Sequence, residues 1–267
     1  MKALVSSGLR MWSVVFPSWA ARWLLDQFMT PRPWRKPVTS FVGSHSEMAD
    51  GSVLWRLGKG EKRALLVHGW SGHRDQFSSI TKILLDRGFE VHLLDPPGHG
   101  DSPPQRSNPV RFIQAIEAVF GYLGRVDLAI GHSMGASALL HACLSKPRYA
   151  PSHLVSISAP ANFEFPVRTA ARMANLGDAA TVQFMAMVEQ EAGVPFAQLD
   201  LTTRATTGAP PLLLVHDEND PQIPVEHAEM IQSNWPKATV LLTKGFGHNR
   251  VLAAPTALDT IDQLLAE

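Results

Sequence analysis

Short apolar runs alternate with stretches of helical spacing along most of this chain, and that rhythm restricts it to very few folds. Residues 64–68 read Ala-Leu-Leu-Val-His, an almost continuous apolar run. A parallel strand buried on both faces has this composition. Residues 75–87 then place Phe77, Ile80, Ile83 and Leu84 at helical intervals. The same reading predicts a strand at 90–94, a helix at 110–123, a strand at 127–132, a helix at 136–145 and a strand at 153–158. Strand, helix and strand in repetition pair in parallel through right-handed crossovers. Residues 41–57 supply one or two antiparallel strands at the start. The expected fold class is α/β: a mostly parallel β-sheet flanked by helices, with a small helical insertion. With 267 residues, 45% of them hydrophobic, the chain can bury one large core.

The rhythm stops near Pro160. From there to Gly208 the sequence is mostly helical and carries Phe163, Phe165, Phe184, Phe196, Met173, Met185 and Met187. It resumes after Pro210 with a strand at 212–216, a helix at 225–234, a strand at 239–243 and a helix at 252–266. A long insertion between two strands is more often functional than idle. Residues 160–208 are therefore read as a helical lid on a core made of 41–159 and 209–267. The lid is expected to leave after Ser158 and return before Leu212 at the same sheet edge, covering the site. Phe163, Phe184, Met185 and Met187 then divide between packing the lid and lining an apolar substrate pocket.

Residues 1–40 form a separate N-terminal stretch. Residues 1–29 are apolar and carry Trp12, Trp19 and Trp23, but Lys2, Arg10, Pro17, Arg22 and Asp26 interrupt them. No uncharged run reaches the roughly 20 residues that a bilayer span needs. Three readings stay open: one or two helices docked on the chain's own domain, a Trp-rich segment in contact with a membrane or lipid surface, and a cleaved signal. Docking is the main expectation. Residues 30–37 contain three prolines, Pro31, Pro33 and Pro37, and read as a linker.

Composition removes several function classes. The 24 basic and 24 acidic residues balance, and no basic run marks a nucleic-acid partner. Cys143 is the single cysteine, so no intrachain disulfide forms and no oxidising compartment is required. It sits in an apolar stretch and reads as a small buried hydrophobe. The expected location is the cytoplasm, with peripheral membrane association as the variant. No histidine pair has the H-E-x-x-H spacing and cysteine ligands are absent, so no metal or cofactor is expected.

The strongest chemical signal is Gly131-His132-Ser133-Met134-Gly135, with a predicted strand before it and a helix after it. In that setting G-x-S-x-G is a nucleophile elbow: the turn pushes a strained Ser133 out above the sheet. Glycines are needed at 131 and 135 because a Cβ there would strike the neighbouring chain. A serine hydroxyl is a weak nucleophile and needs a base. His248, in Gly245-Phe246-Gly247-His248-Asn249 just after the last strand, is the candidate. The orienting acid lies in Asp217-Glu218-Asn219-Asp220-Pro221, where chemistry alone leaves the choice open.

Four pieces of text occur in order: His68-Gly69-Trp70, Asp95-Pro96-Pro97-Gly98-His99-Gly100-Asp101-Ser102, the elbow at 131–135, and the closing pair Asp220 and His248. Over about residues 50–267 the chain resembles the α/β-hydrolase superfamily, in its serine esterase and monoglyceride-lipase-like branch. The order Ser, Asp, His matches that family. The resemblance implies Asp220 as the acid, because the family places it just before Pro-x-x-Pro, and leaves Asp217 and Glu218 as solvated loop residues. It implies backbone N–H groups of Trp70 and Met134 as the oxyanion hole, with His68 organising that loop and His99 and His132 packing and hydrogen bonding. Trp70 also reads as a core aromatic. The implied activity is hydrolysis of carboxylic esters of small or medium apolar substrates through an acyl-enzyme. Thioesterase, lactonase and C–C hydrolase chemistry use the same triad, and a non-catalytic receptor of this fold is the rival from another class. Ser133 argues against the dehalogenases and epoxide hydrolases, which carry Asp at this position. The sequence does not name the substrate or the oligomeric state.

Overall fold

A computed structural model of the protein describes residues 10–32, 41 and 43–265. Most of the Pro-rich linker, residues 33–40, and the first nine residues lie outside the described part.

Eight strands form one sheet: β1 (Ser44–Glu47), β2 (Val53–Leu57), β3 (Arg63–Val67), β4 (Glu90–Asp95), β5 (Leu128–His132), β6 (His153–Ile157), β7 (Leu212–Asp217) and β8 (Ala238–Thr243). Their order is β1-β2-β4-β3-β5-β6-β7-β8. β1 pairs with β2, and β2 with β4, in antiparallel fashion. Every other pair is parallel. The predicted α/β fold and its antiparallel start are both present.

Alternation along the central strands feeds two cores. Leu65 and Val67 pack on one face, and Ala64 and Leu66 on the other. The first face is covered by α3 (Pro109–Leu123), α4 (Met134–Ser145) and α7 (Glu226–Asn234). The second is covered by α2 (Ser78–Asp86) and α9 (Pro255–Leu264). Local signals set the helix ends. The Asn108 side chain accepts from the Arg111 N–H at 3.0 Å and Pro109 starts α3, while Gly124 ends it at φ 69°. Residues Met134 to Cys143 of α4 are all buried, so this helix is enclosed on every side, with Ser137 and His141 as its buried polar residues. Cys143 lies inside it, and burial pushes its thiol up.

The insertion holds α5 (Glu164–Met173) and α6 (Asp178–Ala192). Its neck is closed by a bridge between Asn162 and Asp200 and by the Leu201 N–H donating to the Ala161 carbonyl at 2.9 Å. The two ends of the insertion do not meet the sheet at one edge. β6 and β7 are parallel, with Leu154 opposite Leu212 and Ile157 opposite Val215. The chain therefore leaves at the carboxyl edge and must travel back across one face before β7 can begin. Asn234 and Trp235 hold this return. Asn234 Nδ2 donates to the Leu201 and Arg204 carbonyls, and Trp235 Nε1 donates to Pro210.

Residues 10–15 are helical, and α1 (Pro17–Met29) follows them. Ala20, Ala21, Leu24 and Met29 are buried on the inner side of α1, which packs along α6. Arg106 forks onto both Glu191 carboxylate oxygens and onto Asp26, tying α1 and α6 to the loop after β4. The N-terminal stretch is thus docked over its described length. Among the described residues no helix is long and apolar enough to cross a membrane.

Burial also makes a statement about acid. His99, His132 and His141 are buried, and that burial brings each imidazole down to about 3. In the unfolded chain the same groups titrate near 6.5. Between these values the unfolded chain binds protons that the folded one does not, so stability rises with pH. It is fully present above about 6.5 and is lost as pH falls toward 3, by up to about 1.4 kcal/mol per pH unit for each ring. The thermal midpoint should drop clearly between about pH 7 and about pH 5. A midpoint that stays level across that interval in a scanning melt contradicts this account.

Candidate active site

Ser133 stands between β5 and α4 at φ 54° and ψ −124°. A non-glycine residue keeps such a conformation only where its surroundings enforce it. Here the Ser133 N–H donates to the Ile157 carbonyl at 2.8 Å, and the Ser133 carbonyl accepts from Ala136 and Ser137. A Cβ at Gly131 would land on Ala136 Cα, and one at Gly135 on the carbonyl oxygens of Val67 and His68. The tight approach of strand, turn and helix is what leaves Ser133 half-buried with its hydroxyl aimed at His248.

His248 sits in α8 (Gly247–Arg250), the short helix after β8. Its Nε2 is 3.0 Å from Ser133 Oγ, and its Nδ1 is 2.8 Å from Asp220 Oδ2. A carboxylate only accepts, so Nδ1 carries the proton and Nε2 presents a lone pair to the hydroxyl. Asp220 Oδ1 accepts from the N–H groups of Gln222 at 2.8 Å and Ile223 at 3.0 Å. Burial raises the Asp220 carboxyl, but the hydrogen bond and charge of His248 and the two N–H donors outweigh it. The group is held below the usual carboxylate range. His132 donates from Nε2 to the His248 carbonyl at 2.8 Å and fixes the loop that carries His248. The rings of His132 and His248 lie 4.8 Å apart, yet His132 is kept neutral by burial and faces no hydroxyl nucleophile.

Asp217 departs from the expectation of a solvated loop residue: it is fully buried. Its carboxylate accepts from Thr243 Oγ1 at 2.8 Å and from the N–H groups of Phe246 and Asn219, both at 3.0 Å. Those bonds stitch the end of β7 to the loop that precedes His248. The surplus of acids at 217–220 hid this role, because a carboxylate that organises a loop and one that orients a base look alike in sequence.

The loop after β3 passes directly over the elbow, close enough that a Cβ at Gly69 would stand 2.9 Å from Ser133 Cβ. His68 holds this loop. Its Nε2 is 2.9 Å from Asp95 Oδ1 and its Nδ1 is 2.8 Å from the Gly69 carbonyl, and both side chains are wholly buried. Asp95 also accepts from the Arg74 and Asp101 N–H groups, each at 3.1 Å. His73, Asp95 and Asp101 converge as potential metal donors, but the Arg74 guanidinium bonds to both carboxylates there. Met134 is the first residue of α4, where a backbone N–H has no intrahelical acceptor.

The expected pocket residues separate. Phe163 and Phe184 are fully buried in the first core, whereas Met185 and Met187 are partly buried against it. Phe163 stacks on His141, and Met187 lines a cleft at the seam of α1 and α6. Phe184 meets the ring of Phe28 edge-on at 5.6 Å, and Phe28 in turn stacks on Trp70 at 6.1 Å. Trp70 also contacts His99 and Phe112. Phe28 was not foreseen as part of this region. Its helical spacing with Ala21, Leu24 and Leu25 marks a buried face, but nothing in the sequence says what that face meets.

A hydroxyl bonded to an imidazole that is bonded to a carboxylate, gathered where parallel strands end, is the layout of a base-activated nucleophile on an α/β sheet. Residues 64–259 match the profile of the Alpha/beta hydrolase family, and the chain belongs to that family. It is 24% identical over 249 residues to the pimeloyl-[acyl-carrier protein] methyl ester esterase of Serratia marcescens, covering 79% of this chain and 96% of that protein. The enzyme of the same name from Nitrosomonas europaea is 23% identical over 231 residues, covering 72% and 90%. Among solved structures, the Pyrococcus furiosus esterase Pf2001 superposes with a TM-score of 0.66 at 19% identity, over 89% of this chain and 96% of that one. The thioesterase domain from the curacin biosynthetic pathway gives 0.62 at 15% identity, over 86% and 100%. At these identities the structural likeness speaks for the fold alone.

The two buried aspartates should separate by readout. Asp220→Asn should cut turnover of a simple ester by orders of magnitude with a small change in thermal midpoint, because it loses the acceptor that orients His248. Asp217→Asn should chiefly lower the midpoint, because a buried acceptor of three hydrogen bonds is weakened. Steady-state kinetics and melts of both variants check this; a dead but fully stable Asp217 variant would reverse the assignment.

Proposed function

We propose that this protein is a serine esterase that hydrolyses carboxylic esters with an apolar acyl part through an acyl-enzyme. The relay from Ser133 Oγ to His248 Nε2 at 3.0 Å and from His248 Nδ1 to Asp220 Oδ2 at 2.8 Å carries this reading. As Ser133 Oγ attacks the ester carbonyl carbon, its proton passes to His248 Nε2. The N–H groups of Trp70 and Met134 hold the resulting oxyanion, each worth roughly 2.7–4 kcal/mol of barrier. Collapse breaks the bond to the alcohol oxygen, which leaves with the proton from His248. Water then gives a proton to His248 and attacks the acyl carbon, and Ser133 Oγ departs and recovers that proton. Asp220 stays ionised throughout and stabilises the imidazolium.

The substrate class follows from the surroundings and from the relatives. Trp70 stacks on Phe28, which the buried Phe184 backs edge-on. This apolar stack suits an acyl chain, and in this reading the α5–α6 insertion acts as the lid and Met185 is its residue nearest the chain. An open cleft of about 300 Å³ adjoins His248 and is lined by Asn219, Gln222 and Asn249 among others. It serves as the way in for water and the way out for a small alcohol. The curated relatives act on methyl esters. That supports an ester with a small leaving group over the thioester, lactone and C–C alternatives.

Ser133→Ala should reduce hydrolysis of p-nitrophenyl esters by about 10⁶-fold while leaving the fold intact. Unchanged turnover in the pure variant sinks the proposal. Wild-type kcat/KM should be higher for oxygen esters than for matched thioesters. Met185→Ala should shift the preferred acyl length while turnover of p-nitrophenyl acetate stays within about 3-fold, since it alters binding of the chain and not the relay. A chain-length profile identical to wild type removes Met185 from the pocket.

A further inference from the structure

The N-terminal helices have two apolar sides, and only one of them is used. On the inner side, Ala20, Ala21, Leu24 and Met29 are buried against the body of the protein. On the outer side, Trp12, Phe16, Trp19 and Trp23 follow one another at intervals of four, three and four residues, which places them in a single stripe along a helix. The break at Phe16 does not interrupt the stripe. The Phe16 N–H donates to the Trp12 carbonyl at 2.7 Å, and the Ala20 N–H donates to the Phe16 carbonyl at 3.1 Å. Trp12 stacks on Phe16 with centroids 5.3 Å apart and lies 6.4 Å from Trp19, so the aromatics form one continuous patch. Met11 and Val15 extend it. These six residues are between 38% and 65% exposed.

The patch is presented on a firm mount. Ser13 Oγ donates to the Arg10 carbonyl at 2.7 Å and accepts from the Gly177 N–H at 2.9 Å, which pins residues 10–15 to the start of α6. Asp26 is held by Arg106. A contiguous exposed apolar surface of this kind marks an interaction site.

Charge identifies the partner. Residues 1–25 contain Lys2, Arg10 and Arg22 and no acidic residue. Arg10 and Arg22 are exposed and form no ion pair among the described residues. A two-fold contact between copies of this chain would set the same cations against one another, which opposes association. An anionic lipid surface complements both features: tryptophans enter the headgroup region, and arginines pair with phosphates. We propose that the Trp12–Trp23 stripe docks the protein on the surface of anionic membranes. Phe28, on the same helix, stacks on Trp70 above the elbow. If the esterase reading holds, a docked molecule carries its site beside the lipid phase from which apolar esters would come.

Co-sedimentation of the full-length protein with vesicles tests the docking without using turnover. With phosphatidylcholine vesicles containing phosphatidylglycerol, the wild type should pellet, and added salt should weaken the binding. Pure phosphatidylcholine vesicles should bind it less. Trp12→Ser with Trp19→Ser should weaken partitioning at least about 10-fold, leaving p-nitrophenyl acetate turnover and monomer mass unchanged. Arg10→Gln with Arg22→Gln, which leaves the apolar patch in place, should reduce binding to the anionic vesicles but not to the neutral ones. Three results overturn the proposal: wild-type protein that stays in the supernatant with anionic vesicles, binding unaffected by both double variants, or a wild-type dimer in light scattering that the tryptophan variant dissociates. The last would assign the patch to a second copy of the chain.

Discussion

A residue with a side chain adopts the backbone conformation of Ser133 at a cost of roughly 1–3 kcal/mol. The surrounding structure holds it there. β5 ends against Ile157 of β6, α4 begins so close behind it that Gly131 has no room for a Cβ, and the end of β3 leaves none at Gly135. Each of these contacts requires the central parallel strands to be in register, so the sheet's two buried faces and its order of pairing are prerequisites for the turn. In return, the turn lifts one hydroxyl out of a core whose neighbours are almost entirely buried and leaves the first N–H groups of α4 free.

The site also depends on sorting histidines. His68, His99, His132 and His248 all lie near the elbow, and any of them could accept a proton in isolation. His99 and His132 are held neutral by burial, with values near 3. His68 is committed to Asp95 and to its own loop. His248 alone places one ring nitrogen on a hydroxyl and the other on a carboxylate, and Asp220 is kept ionised by the very partners it orients. The histidines that look redundant in the sequence set the surroundings of His248: His132 anchors its backbone, and His68 anchors the loop opposite.

Much of this was legible in the sequence because it rests on local rules. Apolar runs bounded by helical spacing mark β3 to β8 to within a residue or two, whereas the two antiparallel strands are placed only somewhere in 41–57, and Asn108-Pro109 and Gly124 delimit α3 by capping chemistry. The elbow was readable because only glycine fits at 131 and 135. The features that were not legible are those set by distant contacts. Asp217 was expected in solvent because nothing local reveals that Thr243 and Phe246 would close over it. The return of the insertion to the opposite sheet edge follows from the parallel pairing of β6 with β7, which is a property of the whole sheet and not of residues 160–208. Phe28 reaches Trp70 because α1 lies along α6, a tertiary packing choice that the spacing of apolar residues permits but does not dictate.

The central claim is that Ser133 is a base-activated nucleophile. A fluorophosphonate reacts covalently with such a hydroxyl, and peptide mass spectrometry locates the adduct. The account predicts a single adduct, on Ser133, that forms in the folded protein and is strongly slowed in a His248→Ala variant. An adduct on another residue, or a Ser133 that stays unmodified in protein that still hydrolyses esters, would contradict it.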